Sequence, residues 1–138
     1  MLDTDTCIFL MRGESPALAE QVQRVPLAQQ VMSVVTYAEL SYGVAASAST
    51  KRKRNQQVLD SLALHLAVID WPRDAARHYA EIRLDLKKRG AQLGAADLMI
   101  AAHARALGAR VVTHNTKDFG RVKGLDVEDW TRAASSGR

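Results

Sequence analysis

Residues 94–107 read GAADLMIAAHARAL, and the way this stretch folds limits what the rest of the chain can be. Leu98, Met99, Ile100, Ala101, Ala102, Ala104, Ala106 and Leu107 leave little polar face, so the pattern predicts a helix apolar almost all the way round. Helices of that kind are covered on several sides. Asp97 nevertheless sits in the first turn. The positive end of a helix favours a carboxylate there, but a buried one still needs a cation, a donor or a proton. Two readings stand at this point: Asp97 caps the helix, or it belongs to a cation site whose partners come from elsewhere in the fold.

Working outward, the flanking segments alternate between strand and helix. Met1–Thr4 reads as a very short first strand, followed by a helix through Cys7–Met11 that stops near Gly13. Ser15 and Pro16 form a helix start, and that helix runs to about Arg24. Val31–Val35 is β-branched and apolar, a buried strand, leading into a helix from near Thr36 to Gly43–Ala46. Lys51–Leu62 is expected as a helix opening on four cations, His65–Ile69 as a strand, and Pro72–Arg89 as an amphipathic helix ended by Gly90. Beyond the central helix and Gly108, Arg110–Thr113 is a fourth strand and Leu125–Glu128 an edge strand. Strands alternating with helices imply α/β architecture, a parallel sheet covered on both faces. The expected organisation is one domain over residues 1–132 and a small polar, mobile tail over 133–138.

The 138 residues suffice for one proper core. A single cysteine, Cys7, excludes an internal disulfide framework and suits a reducing cytosol. No run reaches the length of a membrane span. The opening MLDTDT has acids where a signal peptide has basic residues, so the expected location is cytoplasmic. Nineteen Lys and Arg against 15 Asp and Glu give a net charge of +4. If four of those acids gather in one pocket, 11 remain against 19 cations, and the rest of the protein carries +8. An acidic pocket in a basic body suits an enzyme that holds a phosphate backbone around a metal.

Active-site groups of a parallel sheet collect at the carboxyl ends of its strands. Asp3 ends the first expected strand, Glu39 lies a turn beyond the second, Asp118 just past the fourth, and Asp97 starts the helix feeding the fourth. Asp3, Glu39 and Asp97 each interrupt an otherwise apolar segment, whereas Glu20, Asp74, Glu81 and Asp85 sit in mixed, solvated helices. Asp70 also ends a strand, but its DWPRD context is explained by turn and helix-entry chemistry. Four converging carboxylates repel unless a cation holds them together, and oxygen-only ligands point to Mg²⁺ or Mn²⁺. Mg²⁺ usually takes one or two carboxylates directly. Asp3 and Asp97 are the expected metal ligands, and the remaining acids act through water as base or orienter. Hydrolysis of a phosphodiester by metal-bound water is then the natural chemistry. His65, His78, His103 and His114 have no zinc-site spacing; His103 is expected to be a satisfied histidine on the helix flank. No Gly-rich phosphate loop or Gly-x-Ser-x-Gly elbow is present.

Three stretches, MLDTDTCIFL, SVVTYAELSYG and the run from Gly94 to Trp130, resemble the PIN-domain ribonucleases, specifically the VapC-type toxins of toxin–antitoxin pairs. The resemblance implies a three-layer α/β/α sandwich around a five-stranded parallel sheet. It also implies Mg²⁺- or Mn²⁺-dependent cleavage of RNA, often tRNA, and a homodimer whose acidic pocket is blocked by a small VapB antitoxin. By position, the family's acids match Asp3, Glu39, Asp97 and Asp118, and Thr113 and Asn115 match its polar loop after the fourth strand. The chain departs from the family in one place: it reads Asp3-Thr4-Asp5 where these toxins usually read Asp-Thr-Asn. Asp5 therefore joins Thr113 and Asn115 as a residue expected beside the metal or the substrate.

That departure also resembles the aspartyl nucleophile motif of haloacid-dehalogenase-type phosphatases, in which Asp3 would be phosphorylated and Asp5 act as acid/base. Only Asp118 follows Thr113 where that family has a paired acidic motif. A third class is a metal-free RNA-binding module led by the cations of Lys51–Arg54, but the chain's 5% aromatic content gives little for base stacking.

Overall fold

The computed structural model describes residues 1–133. The expected tail thus lies, for residues 134–138, outside the described residues. Seven helices and four short strands follow in the order α1 (Thr4–Arg12), α2 (Pro16–Arg24), β1 (Val31–Ser33), α3 (Val34–Ala45), α4 (Ser49–His65), β2 (Ala67–Ile69), α5 (Ala75–Lys88), α6 (Ala95–Leu107), β3 (Val111–Val112), α7 (Thr116–Phe119) and β4 (Val127–Glu128).

Two of the strands end early because a capping side chain turns them into helices. Asp3 is extended, with ψ 175°, and its carboxylate accepts the Thr6 N–H at 2.9 Å. It is the N-cap of α1, so the first strand stops after Leu2. Ser33 does the same for α3, its Oγ accepting the Val35 N–H at 3.1 Å. Val34 and Val35, expected in the strand on β-propensity, are helical instead. A cap that satisfies an orphan helix N–H stabilises by about 1 kcal/mol, comparable to the whole span of strand propensities.

The regular pairing is correspondingly short. β1 pairs with β2 and β3 with β4, both parallel, as two two-stranded sheets. The continuous five-stranded ladder expected from the sequence does not form among the described residues. Instead Leu2 makes an isolated parallel bridge to Val112. The Leu2 N–H donates to the Val31 carbonyl at 2.9 Å and the Asp3 N–H to the Val112 carbonyl at 3.0 Å, which holds the opening segment between β1 and β3.

Helices cover both sides of this frame. Met1 and Val111 pack into one core with Ile82 and Leu86 of α5 and with Leu98, Ile100, Ala101 and Ala104 of α6. Their chain neighbours Leu2 and Val112 enter the opposite core with Cys7, Leu18, Met32, Leu40, Leu59 and Leu66. Adjacent residues pointing to opposite faces is the two-residue period of a strand buried on both sides. α6 is the central helix the pattern predicted, and Gly108 ends it in the left-handed conformation at φ 65°, which costs glycine nothing.

Other boundaries moved by a few residues. α4 continues to His65, which had been expected to open a strand. α5 starts at Ala75 because Pro72 begins a turn, closed by the Ala75 N–H on the Pro72 carbonyl at 3.0 Å. The single-turn α7 was not foreseen. Among the described residues no helix is long and apolar enough to cross a membrane.

Candidate active site

Asp3 is only 2% exposed. Burial pushes its carboxyl above the usual aspartate range, while hydrogen bonds from Thr113 and Thr6 partly restrain it. Both threonines are fixed in turn. Thr6 Oγ1 donates to the Val112 carbonyl at 3.1 Å, and Thr113 Oγ1 accepts the Asn115 N–H at 2.9 Å. The strand end thus orients the carboxylate that caps α1.

Glu39 comes from the second turn of α3 and is exposed. Thr4 Oγ1 donates to its Oε1 at 2.5 Å and lies 3.4 Å from Thr36 Oγ1. The start of α1 thus holds the acid of α3. Asp118, in α7, is half-buried. Its Oδ2 accepts from Asn115 Nδ2 at 2.9 Å, and its Oδ1 lies 3.5 Å from Arg121 Nη1.

Asp97 joins these groups. Gly94 occupies the cap position of α6 with no side-chain bond, so Asp97 is not the helix cap. Its carboxyl is pushed up to about 6, first by burial and then by repulsion from Asp3, Glu39, Asp5 and Asp118. The four acids singled out in the sequence, and Asp5 with them, are close enough to act on one group. Asp5 is exposed in the first turn of α1 and does not cap it. Among the described residues no three metal-ligating side chains close on one point as a ready-made cage. Asp3, Glu39 and Asp118 are each held by a neighbouring backbone amide, hydroxyl or side-chain amide. An oxygen-only donor set of high negative charge fits a hard divalent cation that keeps part of its water shell.

Asp70 is exposed and takes no part. His114 is turned to Asp129 Oδ2 at 3.2 Å and Thr131 Oγ1 at 2.9 Å. His103 differs from expectation: it is fully buried, with Nδ1 2.7 Å from Ser33 Oγ and no partner for Nε2. Burial disfavours its protonated form. Ser33 Oγ both accepts the Val35 N–H and shares a hydrogen bond with His103 Nδ1. One serine therefore joins the helix carrying Asp97 to the start of the helix carrying Glu39. The positioning roles of Thr4, Thr6, Ser33 and Arg121 also escaped the sequence reading. A serine between an apolar strand and a helix, and one histidine inside an alanine-rich helix, were the available signals.

A family profile described as the PIN domain matches residues 1–125. A Shigella flexneri protein named tRNA(fMet)-specific endonuclease VapC is 39% identical over 131 residues, covering 95% of this chain and 97% of that protein. A Haemophilus influenzae protein named Ribonuclease VapC1 is 38% identical over 133 residues, covering 96% and 98%. Among solved structures, DNA-bound VapBC from Salmonella typhimurium matches with a TM-score of 0.88 at 36% identity, over 94% of this chain and 96% of that one. VapBC-1 from nontypeable Haemophilus influenzae matches with a TM-score of 0.87 at 35% identity, over 96% and 98%.

Proposed function

This chain belongs to the PIN-domain family as one of its VapC-type members, and from that premise we propose that it is a Mg²⁺- or Mn²⁺-dependent endoribonuclease toxin, held in check by a VapB-type antitoxin. The observation that carries the metal is Asp97, pushed up to about 6 by burial and four neighbouring carboxylates. Carboxylates gathered that densely repel one another at neutral pH, and a cation among the oxygens relieves the repulsion.

In this reading Asp3 and Asp97 hold the ion. When bound, it neutralises the pocket and lowers the pKa of a coordinated water. The residues of the chain do the rest. Glu39, steadied by Thr4, and Asp118, steadied by Asn115, accept hydrogen bonds from water in the pocket and orient it. Thr113 restrains the Asp3 carboxylate, and Arg121, beside Asp118, is a cation placed to meet a substrate phosphate. Asp5 adds a negative charge at the rim. tRNA is the proposed substrate class, by analogy with the relatives named as tRNA(fMet)-specific endonucleases. The proposed assembly is a homodimer bound to its antitoxin.

The test is cleavage of bulk tRNA with EDTA, Mg²⁺ or Mn²⁺, using the wild type and Glu39→Gln. Expected are no cutting in EDTA, restoration by either ion, and loss of at least a hundredfold in the variant while it stays folded. Full activity in EDTA would overturn the metal reading. Turnover of an aryl phosphate without RNA cleavage would favour the aspartyl-phosphatase chemistry of Asp3 and Asp5.

A further inference from the structure

α4 opens with Ser49 and Thr50, and Lys51, Arg52, Lys53 and Arg54 follow as its third to sixth residues, all exposed. Among the described residues none of the four is in an ion pair; Arg52 only reaches back to the Ser47 carbonyl at 3.2 Å. This is the wrong end of a helix for cations. The N-terminal turn carries partial positive charge, so Lys51 and Arg52, at the end of that turn, each cost a few tenths of a kcal/mol, up to about 1, and Lys53 and Arg54 behind them add like-charge repulsion. The cap, Ala48, offers no side-chain oxygen in compensation. Arg12, Arg24, Lys87, Lys88 and Arg105 lie in last turns, and Arg77, in the first turn of α5, is paired with Glu81 at 3.4 Å. The run weakens the helix that bears it, and no group in the fold repays the loss.

Its location supplies a reason. Arg54 lines a cleft with Arg12 of α1 and with Leu40 and Gly43 of α3. α1 begins at Asp3, and Leu40 follows Glu39. Six residues of helix separate Glu39 from Ala45, about 9 Å along the axis, and a short turn leads on to α4. The basic end therefore follows the far end of the helix that carries Glu39, and Arg54 faces the C-terminal end of the helix that Asp3 caps. A pocket holding five acids repels a phosphate backbone, so a polyanion drawn into it needs attachment outside it. Four cations with no aromatic residue among them suit phosphates rather than bases.

We propose that the Lys51–Arg54 end of α4 is a second RNA-contact surface, which grips backbone phosphates of the substrate a few nucleotides from the carboxylate pocket. The inference rests on the ribonuclease reading above. It separates attachment, carried by α4, from cleavage, carried by the acids.

The experiment compares the wild type with the combined Lys51→Gln, Arg52→Gln, Lys53→Gln and Arg54→Gln variant, and with a control that removes the same four charges elsewhere, Arg73→Gln, Arg83→Gln, Lys87→Gln and Lys88→Gln, all at exposed positions. Bulk tRNA is the probe, for cleavage kinetics with Mn²⁺ and for equilibrium binding in EDTA across a salt series. The α4 variant is expected to raise KM about tenfold or more at 0.15 M salt and leave kcat within twofold. Its plot of log binding constant against log salt should be shallower by about 1.4 or more, since each single-strand phosphate contact contributes about 0.7. The melting temperature should hold or rise, because the helix loses an unfavourable charge run, and this separates lost contact from lost fold. A KM and salt slope no different from the charge-matched control would overturn the surface and leave the ribonuclease reading intact. So would unchanged tRNA kinetics with weakened binding of the purified antitoxin, which would make the patch a protein contact. If the wild type cuts no RNA at all, the ribonuclease reading fails, and the salt slope still decides whether α4 binds the polyanion.

Discussion

Asp97→Asn removes one charge from the crowded carboxylates and keeps the shape of the side chain. The carboxyl of Asp97 stands at about 6, raised from an ordinary value of 3.8. At about 1.4 kcal/mol per tenfold change in proton affinity, the full effect would approach 3 kcal/mol. The group is only half-buried and water screens part of the repulsion, which leaves about 1–2 kcal/mol. The sign follows from the direction. The fold disfavours the charged form, so the wild type carries this cost above about pH 6 and loses it as pH falls from 6 towards 4, where Asp97 is protonated in the fold. In EDTA at pH 8 the asparagine variant should therefore melt about 3–6 °C higher than the wild type, with the gap closing by pH 4. Mn²⁺ should raise the wild-type melting temperature by mass action, barely move the variant, and fail to restore its RNA cleavage. Melting curves in EDTA and Mn²⁺ at several pH values make the comparison. A variant that melts lower at pH 8, or by the same offset at both pH values, would refute the carboxylate-repulsion argument.

Product ends give a second check. His103 is buried, His114 is held by Asp129 and Thr131, and His78 accepts a hydrogen bond from Arg105 at 2.8 Å, so no histidine pair stands ready to activate a ribose 2′-hydroxyl. Cleavage should leave 5′-phosphate and 3′-hydroxyl ends, and 2′,3′-cyclic phosphates in an end-group analysis would contradict the mechanism. Asp5→Asn should stay folded and active, bind Mn²⁺ more weakly, and keep its activity to lower pH, because one of the charges raising Asp97 is gone. Loss of cleavage at saturating Mn²⁺ would instead make Asp5 essential and reopen the phosphatase alternative. Ser33→Ala should cost about 2 kcal/mol in chemical denaturation, since it uncaps α3 and strips the buried His103 of its one partner; a loss below about 0.5 kcal/mol would show that the His103–Ser33 pair contributes nothing.

Local pattern alone determined a good deal of this protein. Apolar periodicity identified α6 and α5, Ser15-Pro16 marked the start of α2, and Gly13 and Gly108 marked helix ends. Alternation of strand and helix implied a parallel frame covered on both sides. Carboxylates breaking apolar segments singled out Asp3, Glu39 and Asp97, because a charge in an apolar run needs a partner wherever that run folds, and its place just past a strand singled out Asp118. The tertiary structure decided what short-range propensity leaves balanced. At Asp3 and Ser33 a single capping hydrogen bond outcompeted strand preference, shortened the ladders and left Leu2 as a bridge rather than a strand. It also decided every relation that depends on distance through space. Thr4 meets Glu39 across 35 positions of sequence, and His103 meets Ser33 across 70. Asp97 acquires its raised pKa from burial and then from acids on or capping three other helices. Hydrophobic period and capping act within a few residues and can be read along the chain. Coulombic repulsion, desolvation and hydrogen bonds between helices depend on separations that exist only once the layers have packed.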